Sequence, residues 1–345
     1  MLAQKEAVQN KVWGEYSLYS LINENGTQVD ISDLGAIIVN LFTNDKQGLR
    51  QNIVLGYDTP QQYIEGDVYF GCVVGPWANR IENGCYDLNG KTIQLEQNEG
   101  KNHLHGASAN IGAKRWNVDL AEDNTLTLSV KIRSDEAGYP ANITFNVTYQ
   151  LTDTDELRIE YTATPDAAVP LNMTQHSYFN LNGADNVLEH IVQINSDRYL
   201  HVDSNAIPIE VRSVDNTPLD LRTPVRIGQS IDAAFDQLTL AGGFDHCWCF
   251  DGTLPLSTLF KAATVSEETT GLNLEVYTDQ IGMQFYTGNF ISNEAGHEGR
   301  IYTKRAGFCL ETQCYPNQIN MSNADRCVYQ AGEQYRHNVI YKISK

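Results

Sequence analysis

Residues 171–181 are the first stretch whose residue types could do chemistry, because an alternating polar row there ends at His176. If the first half of this stretch is a strand, every second residue from Leu171 faces the core and the row that ends at His176 faces the other side. An imidazole titrates close to physiological pH, so His176 is a candidate acid, base or ligand. The structural alternative is a histidine that only satisfies hydrogen bonds.

Two acidic residues lie where the backbone would hold a carboxylate in place. Glu311 belongs to residues 307–316, whose alternation predicts a strand, and a carboxylate on a rigid strand suits a catalytic base. An exposed glutamate on a sheet face is the alternative. Asp245 follows two glycines, which predicts a position at the end of a tight turn. A turn or capping aspartate is its structural alternative.

Polar pairs also occur at residues 75–80 and around two histidines. Asn79 and Arg80 follow a glycine-proline turn, and the fixed donors of an arginine suit hydroxyl or carboxylate oxygens. In an extended segment His103 and His105 would share a face, as two metal ligands can. No third ligand follows with a characteristic spacing, so we predict no metal site.

Strands with alternating apolar residues must position these groups. Residues 126–133, 143–151 and 157–163 each alternate with period two, which predicts an antiparallel meander of half-buried strands. Residues 272–276 and 283–286 repeat the pattern and are expected to continue it.

Turn signals divide the rest of the chain into short segments. Asn-Gly pairs at residues 25–26 and 89–90 predict hairpins, and Thr followed by Pro at residues 59–60 predicts a short helix. Residues 204–230 are rich in polar residues and proline, which favours a long loop. We predict one all-β domain over residues 1–345, a β-sandwich of large antiparallel sheets with few short helices.

Composition limits the partners and the compartment. The 345 residues include 24 Lys and Arg against 43 Asp and Glu, a formal charge of -19 that repels nucleic acid and anionic membranes. The N-terminal residues lack the apolar run of a signal peptide, and no later stretch approaches a membrane span, so we expect a cytoplasmic protein. The seven cysteines are odd in number and lack paired Cys-x-x-Cys spacing, which indicates reduced thiols rather than disulfides or a zinc site.

Taken together and in order, the polar clusters resemble the aldose 1-epimerase (galactose mutarotase) family. The motifs that carry the resemblance are residues 75–80, 102–107, 172–181, 243–246, 284–289 and 307–316. The chain departs from the family pattern at Pro76, Ala107, Gln175 and Phe244, where the family usually has Arg, Gly, Asn and Tyr. These departures flank the chemical groups, so they bear on substrate preference more than on activity.

The resemblance implies a galactose mutarotase-like sandwich that interconverts the α and β anomers of a free aldose of the galactose or glucose type. It implies Glu311 as the base for the C1 hydroxyl and His176 as the acid for the ring oxygen. His105 would lie near the ring oxygen as a hydrogen-bond partner or second proton handler.

The resemblance also implies residues that bind sugar hydroxyls, namely Asn79, Arg80 and Asp245, with Gln280 as a further contributor. It implies a monosaccharide substrate, no cofactor, no metal, and a monomer or homodimer. A sugar-binding protein that has kept the fold without turnover is the alternative from another class. A glycosidase that uses Asp245 and Glu311 as a carboxylate pair is a third possibility.

Overall fold

The computed structural model describes residues 8–250 and 258–345. Most of the N-terminal segment for which no leader peptide is expected therefore lies outside the described residues. The described chain is built mainly of strands, with three short α-helices: α1 Pro60–Glu65, α2 Ile227–Ser230 and α3 Asp236–Ala241. The predicted all-β class is confirmed.

The strands are short and follow one another closely along the chain. In the first half they are β1 Gln9–Trp13, β2 Tyr16–Ile22, β3 Gln28–Ser32, β4 Ile38–Asn44, β5 Arg50–Asn52, β6 Val73–Val74, β7 Arg80–Ile81, β8 Cys85–Leu88, β9 Lys91–Gln94, β10 His103–Leu104, β11 Asn117–Glu122, β12 Thr125–Ile132, β13 Ile143–Leu151, β14 Glu156–Pro165 and β15 Val169–Pro170. In the second half they are β16 Thr174–Gln175, β17 Ile191–Ile194, β18 Arg198–Val202, β19 Pro208–Ser213, β20 Val225–Arg226, β21 Asp245–Cys249, β22 Phe260–Ser266, β23 Asn273–Thr278, β24 Gly282–Tyr286, β25 Glu294–Ala295, β26 Ile301–Tyr302, β27 Cys309–Gln313, β28 Val328–Tyr329 and β29 Tyr335–Ser344.

Three large antiparallel sheets form the layers of the fold. A nine-stranded sheet has the order β11-β12-β13-β14-β29-β23-β22-β17-β20, and two five-stranded sheets have the orders β1-β2-β3-β4-β5 and β19-β18-β21-β24-β27. The nine-stranded sheet contacts both of the others. The hydroxyl of Tyr149 donates at 2.7 Å to Ala36 O in the connection between β3 and β4, and that of Tyr341 donates at 3.3 Å to Leu310 O in β27. One buried apolar cluster includes residues of all three sheets. The single domain over residues 1–345 stays a prediction.

The predicted meander is present, because β12, β13 and β14 pair in sequence in antiparallel register. Each of these strands buries every second residue along most of its length. The expectation for the later segments is half right. Strand β23 joins the same sheet through β29, whereas β24 belongs to the five-stranded sheet of β21 and β27. Alternation reports a buried face but not the sheet that covers it, so the sequence pattern did not separate the two.

Turn chemistry was predicted correctly at three places. The Asn-Gly pairs lie between β2 and β3 and between β8 and β9, which pair as hairpins. Thr59 caps α1 and forms a capping box with Gln62, with Pro60 in the first turn. The loop predicted at residues 204–230 is wrong in part, since it contains β19, β20 and α2. Strand β19 is an exposed edge strand, so its polar residues carry no burial signal.

All seven cysteines are free, as the odd count indicated, and six of them are buried. Within residues 8–250 and 258–345, no helix is long and apolar enough to cross a membrane.

Candidate functional site

Three neighbouring strands of the second five-stranded sheet hold the acidic groups of the site. Strand β24 pairs with both β21 and β27, and Gln284 lies directly opposite Glu311 in the register. Because side chains alternate in direction, Gln284 and Glu311 point to the same face of the sheet. Asp245 begins β21 after two residues with positive φ, Gly242 at 66° and Gly243 at 148°. A Cβ on Gly243 would lie 2.3 Å from Asn289 Oδ1, so this turn requires glycine.

Two short two-stranded ladders bring the histidines and the arginine to the same place. His176 directly follows β16, which pairs with β6. Arg80 begins β7, which pairs with β10, and His105 directly follows that strand. The amide of His105 donates to Asn79 O at 3.2 Å, so the backbone itself links the Asn79 and His105 segments.

These side chains line a cavity of about 270 Å³. Its lining includes Asn79, Arg80, His105, His176, Asp245 and Glu311, which are all sequence-predicted, together with Asp67, Val68, Tyr69, Glu99, Leu104, Tyr178, Gln284, Tyr286, Phe290 and Ile291. A larger groove of about 630 Å³ shares Arg80, Glu99, Asp245 and Phe290 with this cavity. The cavity therefore adjoins this groove.

His176 and Glu311 form the central pair of the cavity. Their closest atoms, His176 Nε2 and Glu311 Oε2, lie 3.7 Å apart, and both side chains are almost fully buried. Burial lowers the pKa of His176 to about 4. Burial, and then the charge of Asp245, raise the pKa of Glu311 well above its ordinary value, with Arg80 opposing. Both shifts favour uncharged side chains.

Glu311 Oε2 is buried without a hydrogen-bond partner among the described residues. Leaving such an atom unpaired costs folding free energy of about 1–3 kcal/mol. A sugar hydroxyl that donates to this oxygen would supply the missing hydrogen bond.

His105 is held in one tautomer by the backbone. The amide of Asn79 donates to His105 Nδ1 at 3.2 Å, so that nitrogen is unprotonated and Nε2 carries the hydrogen. Burial, and then the proximity of His176 and Arg80, hold the pKa of His105 well below its usual range. His105 is therefore a neutral hydrogen-bond donor in this cavity.

Tyr69 forms the wall beside both histidines. Its ring centroid lies 4.9 Å from that of His105 and 5.8 Å from that of His176. Its φ of 61° is unusual for a bulky residue, and such backbone strain is concentrated at functional sites. Tyr178 packs on His176 with centroids 5.1 Å apart. The imidazoles are thus fixed by aromatic packing as well as by hydrogen bonds.

The groups predicted to bind hydroxyls are held by polar partners. Gln284 Nε2 donates to Asp245 Oδ1 at 2.7 Å, which fixes the carboxylate. Arg80 Nε donates to Glu99 Oε2 at 2.7 Å, and its Nη2 contacts the other oxygen of the same carboxylate. Both Glu99 and Gln284 were missed by sequence reasoning. Gln284 begins one of the family motifs, and that motif is the signal that could have found it.

Gln280 is the predicted site residue that the structure does not bring to the cavity. It lies in the turn between β23 and β24 and its side chain donates to Asp279 Oδ1 at 3.3 Å. Gln284, further along the same segment, lines the cavity instead. Gln280 was assigned from the family resemblance, and that resemblance does not indicate which side chain of this segment reaches the neighbouring strand.

The two histidines of residues 102–107 do not share a face. His103 is buried, with Nδ1 donating to Glu96 O at 2.7 Å and Nε2 accepting from the Tyr139 hydroxyl at 2.8 Å. The extended backbone ends at Leu104, because His105 has a φ of 51°.

The potential metal-ligand atoms of His176, Cys309 and Glu311 lie within 4.8 Å of one another. Burial raises the pKa of the Cys309 thiol well above its ordinary value, which disfavours the thiolate that a metal needs.

The polar row that ends at His176 is mostly structural. Asn172 Nδ2 donates to Ala78 O at 3.1 Å, and the hydroxyl of Thr174 donates to Thr312 O at 2.9 Å. Both faces of this stretch are buried, so alternation could not distinguish a working face from a packed one. Gln175, one of the departures from the family pattern, is buried too, and its Oε1 lies 3.0 Å from the Tyr149 hydroxyl oxygen.

The chain matches the family model described as aldose 1-epimerase over residues 17–342. It is 38% identical to the galactose mutarotase of Bos taurus over 321 residues, which cover 92% of this chain and 91% of that relative. It is 35% identical to the aldose 1-epimerase of Haemophilus influenzae over 310 residues, 88% of each chain.

Among solved structures, the GalM/aldose epimerase homologue from C. elegans superposes with a TM-score of 0.88 at 27% identity, over 95% of this chain and 99% of that one. Since the family model covers nearly the whole chain, and the relatives exceed 30% identity along most of it, the chain belongs to the aldose 1-epimerase family.

Proposed function

We propose that the His176–Glu311 cavity is the site at which this aldose 1-epimerase interconverts the α and β anomers of a free aldose. The observation that carries the proposal is the pair itself. A titratable nitrogen and a carboxylate oxygen lie 3.7 Å apart in a cavity lined by hydrogen-bonding groups. The volume of about 270 Å³ lies just below the usual range for drug-sized ligands, about 300–1,000 Å³, which suits a single sugar ring.

The reaction needs one base and one acid. In the proposed mechanism Glu311 accepts the proton of the C1 hydroxyl, the bond between C1 and the ring oxygen breaks, and His176 donates a proton to that oxygen. The product is the open-chain aldehyde, whose C1–C2 bond rotates before the ring closes on the other face. Closure reverses both proton transfers, so the enzyme returns to its starting state and no redox change occurs.

The number of protons that His176 and Glu311 hold together fits this acid and base role. Burial favours a protonated Glu311 with a neutral His176, whereas the reaction needs an ionised Glu311 with a protonated His176. These two states hold the same number of protons and differ only in where one proton lies. A sugar supplies a hydroxyl donor to the carboxylate and a ring-oxygen acceptor to the imidazole, and both hydrogen bonds favour the ionised state.

The remaining residues would orient the sugar. Asp245, fixed by Gln284, accepts from sugar hydroxyls, and Asn79 and Arg80 bind hydroxyl groups from the opposite ladder. His105 donates from Nε2 toward the ring oxygen, and its tautomer leaves it no proton-transfer role of its own. In this proposal Gln284 takes the role that the sequence suggested for Gln280.

The substrate and setting follow from the same features. We propose a galactose- or glucose-type aldose as substrate and a cytoplasmic monomer or homodimer as the working form. The charge of -19 disfavours nucleic acid and anionic membrane partners.

Optical rotation of freshly dissolved α-D-galactose tests the proposal. The wild-type protein should accelerate the approach to equilibrium, and Glu311→Gln or His176→Gln should each lower kcat by about 10²–10⁴-fold. Gln280→Ala is the matched control and should leave the rate unchanged, because Gln280 lies outside the cavity. Equal rates for wild type and Glu311→Gln would refute the base assignment. Calorimetric sugar binding without any mutarotation would instead support the sugar-binding alternative.

A further inference from the structure

Carboxyl groups outnumber cationic groups around the cavity. Its lining contains four carboxylates, those of Asp67, Glu99, Asp245 and Glu311, and Arg80 is the lining residue with a permanent positive charge. The adjoining groove adds the carboxylates of Glu82 and Asp203 and the ammonium of Lys101. Carboxyl groups are therefore the most frequent ionisable groups that a bound sugar can meet in this cavity.

Arg80 is already engaged by one of these carboxylates. Glu99 contacts both Nε and Nη2 of the guanidinium, which is the two-point geometry with which arginine binds carboxylates and phosphates. The Arg80 side chain is 16% exposed and that of Glu99 is 36% exposed, so the pair lies at the mouth with Arg80 on the inner side. Nη1 is the guanidinium nitrogen that Glu99 does not engage.

The backbone keeps Glu99 in this position. Its amide donates to Asn102 O at 3.2 Å and its carbonyl accepts from the amide of Asn102 at 2.9 Å, which closes a tight turn. The side chain of Asn102 accepts from the amide of Asn83 at 3.2 Å, which ties the turn to the segment after Arg80. The backbone therefore holds Glu99 in place as the ion-pair partner of Arg80.

We infer that Glu99 makes this site selective against anionic sugars, because it occupies the guanidinium of Arg80 that would otherwise bind a sugar carboxylate. The inference rests on the proposed function, since it concerns the substrates of that cavity. A neutral aldose can donate its hydroxyls to the carboxylates and accept from Arg80 Nη1. An ionised uronic acid only accepts at its carboxylate and meets like charges, so it is rejected. The ammonium group of an amino sugar only donates, so it is tolerated.

The experiment compares D-galacturonate with D-galactose at neutral pH, using optical rotation to obtain kcat/KM for each. The variants are Glu99→Gln and Glu99→Ala, with Glu82→Gln as the control, since Glu82 carries the same charge in the outer groove without a contact to Arg80. For the wild type, kcat/KM should be lower for galacturonate by about tenfold or more. Both Glu99 variants should raise the ratio of galacturonate to galactose by about tenfold, and Glu82→Gln should change it by less than about twofold.

Three outcomes would overturn the inference: a wild type that accepts both sugars equally, Glu99 variants that leave the ratio unchanged, or a Glu82 variant that changes it as much as they do. The same ratio can be measured as calorimetric affinities on Glu311→Gln, which does not require turnover. Failure of the wild type to accelerate galactose mutarotation would contradict the proposed function, and these affinities would still decide the role of Glu99.

Discussion

His176 Nε2 lies 3.7 Å from Glu311 Oε2, although one residue follows the short strand β16 and the other lies in β27 of a different sheet. The two side chains are nearly fully buried and point into one cavity. Burial moves the pKa of His176 below its ordinary value and the pKa of Glu311 above it. Between its two ionisations the pair holds one proton, which is the state that the proposed reaction requires.

The first prediction concerns the pH profile of kcat/KM. Burial lowers the pKa of His176 to about 4 and raises that of Glu311, so the one-proton state is lost by protonation near pH 4 and by deprotonation above the raised pKa of Glu311. Initial rates of optical rotation, corrected for the spontaneous reaction, should show an acidic limb near pH 4. An acidic limb near pH 6.5, the ordinary value for histidine, would contradict this.

The second prediction separates the two glutamines of the β23–β24 segment. Gln284 fixes Asp245 through a 2.7 Å hydrogen bond and lines the cavity, so Gln284→Ala should raise KM for galactose by about tenfold. Gln280→Ala should change neither kcat nor KM, because its side chain donates to Asp279 outside the cavity. The reverse pattern in steady-state kinetics would restore the assignment made from the sequence.

The sequence predicts those parts of the molecule that follow from local rules. Alternation located the strand that carries Glu311, and turn chemistry located the hairpins and the cap of α1 at Thr59. The ordered motifs identified the family and six of the residues that line the cavity. Each of these signals depends on residue types at short spacing.

The parts that the sequence did not predict depend on contacts between distant segments. Gln284 lines the cavity because its side chain reaches from β24 to Asp245 in β21. Glu99, which binds the guanidinium of Arg80, lies in a turn 19 residues away along the chain. The strained backbone of Tyr69 places its ring on two histidines from different ladders. Both faces of residues 171–181 are buried, so alternation in the sequence could not distinguish a face that lines the site from one that packs in the core.

The third prediction concerns the protonation state of His105. Its Nδ1 accepts from the Asn79 amide, and burial with the nearby His176 and Arg80 holds its pKa well below the usual range. The imidazole should stay neutral, with the hydrogen on Nε2, throughout the range of activity, and ¹⁵N chemical shifts can show this. His105→Gln, which keeps an amide donor, should retain about tenfold more activity than His105→Leu. A ring that titrates near pH 6.5 would show that His105 handles a proton.

The fourth prediction concerns stability in acid. His190 Nε2 accepts from the amide of Leu181 at 2.9 Å, and His246 Nδ1 accepts from the amide of Asp245 at 3.2 Å. Both imidazoles are therefore neutral in the folded protein. Burial lowers the pKa of each to about 4. In the unfolded chain each takes up a proton near pH 6.5, so stability is lost as the pH falls from about 6.5 to 4, by about 3 kcal/mol per histidine at the lower end.

Denaturant unfolding between pH 7.5 and 4.5 measures this loss. The wild-type free energy of unfolding should be nearly constant above pH 7 and should fall below pH 6.5, where the unfolded state binds more protons than the folded one. His190→Gln keeps an oxygen acceptor for the Leu181 amide but removes one titrating group. This variant should be less stable at pH 7.5 and should lose less stability on acidification. The slope of its unfolding free energy against pH should correspond to about one fewer proton taken up on unfolding. A slope equal to that of the wild type would show that His190 is not held neutral by burial.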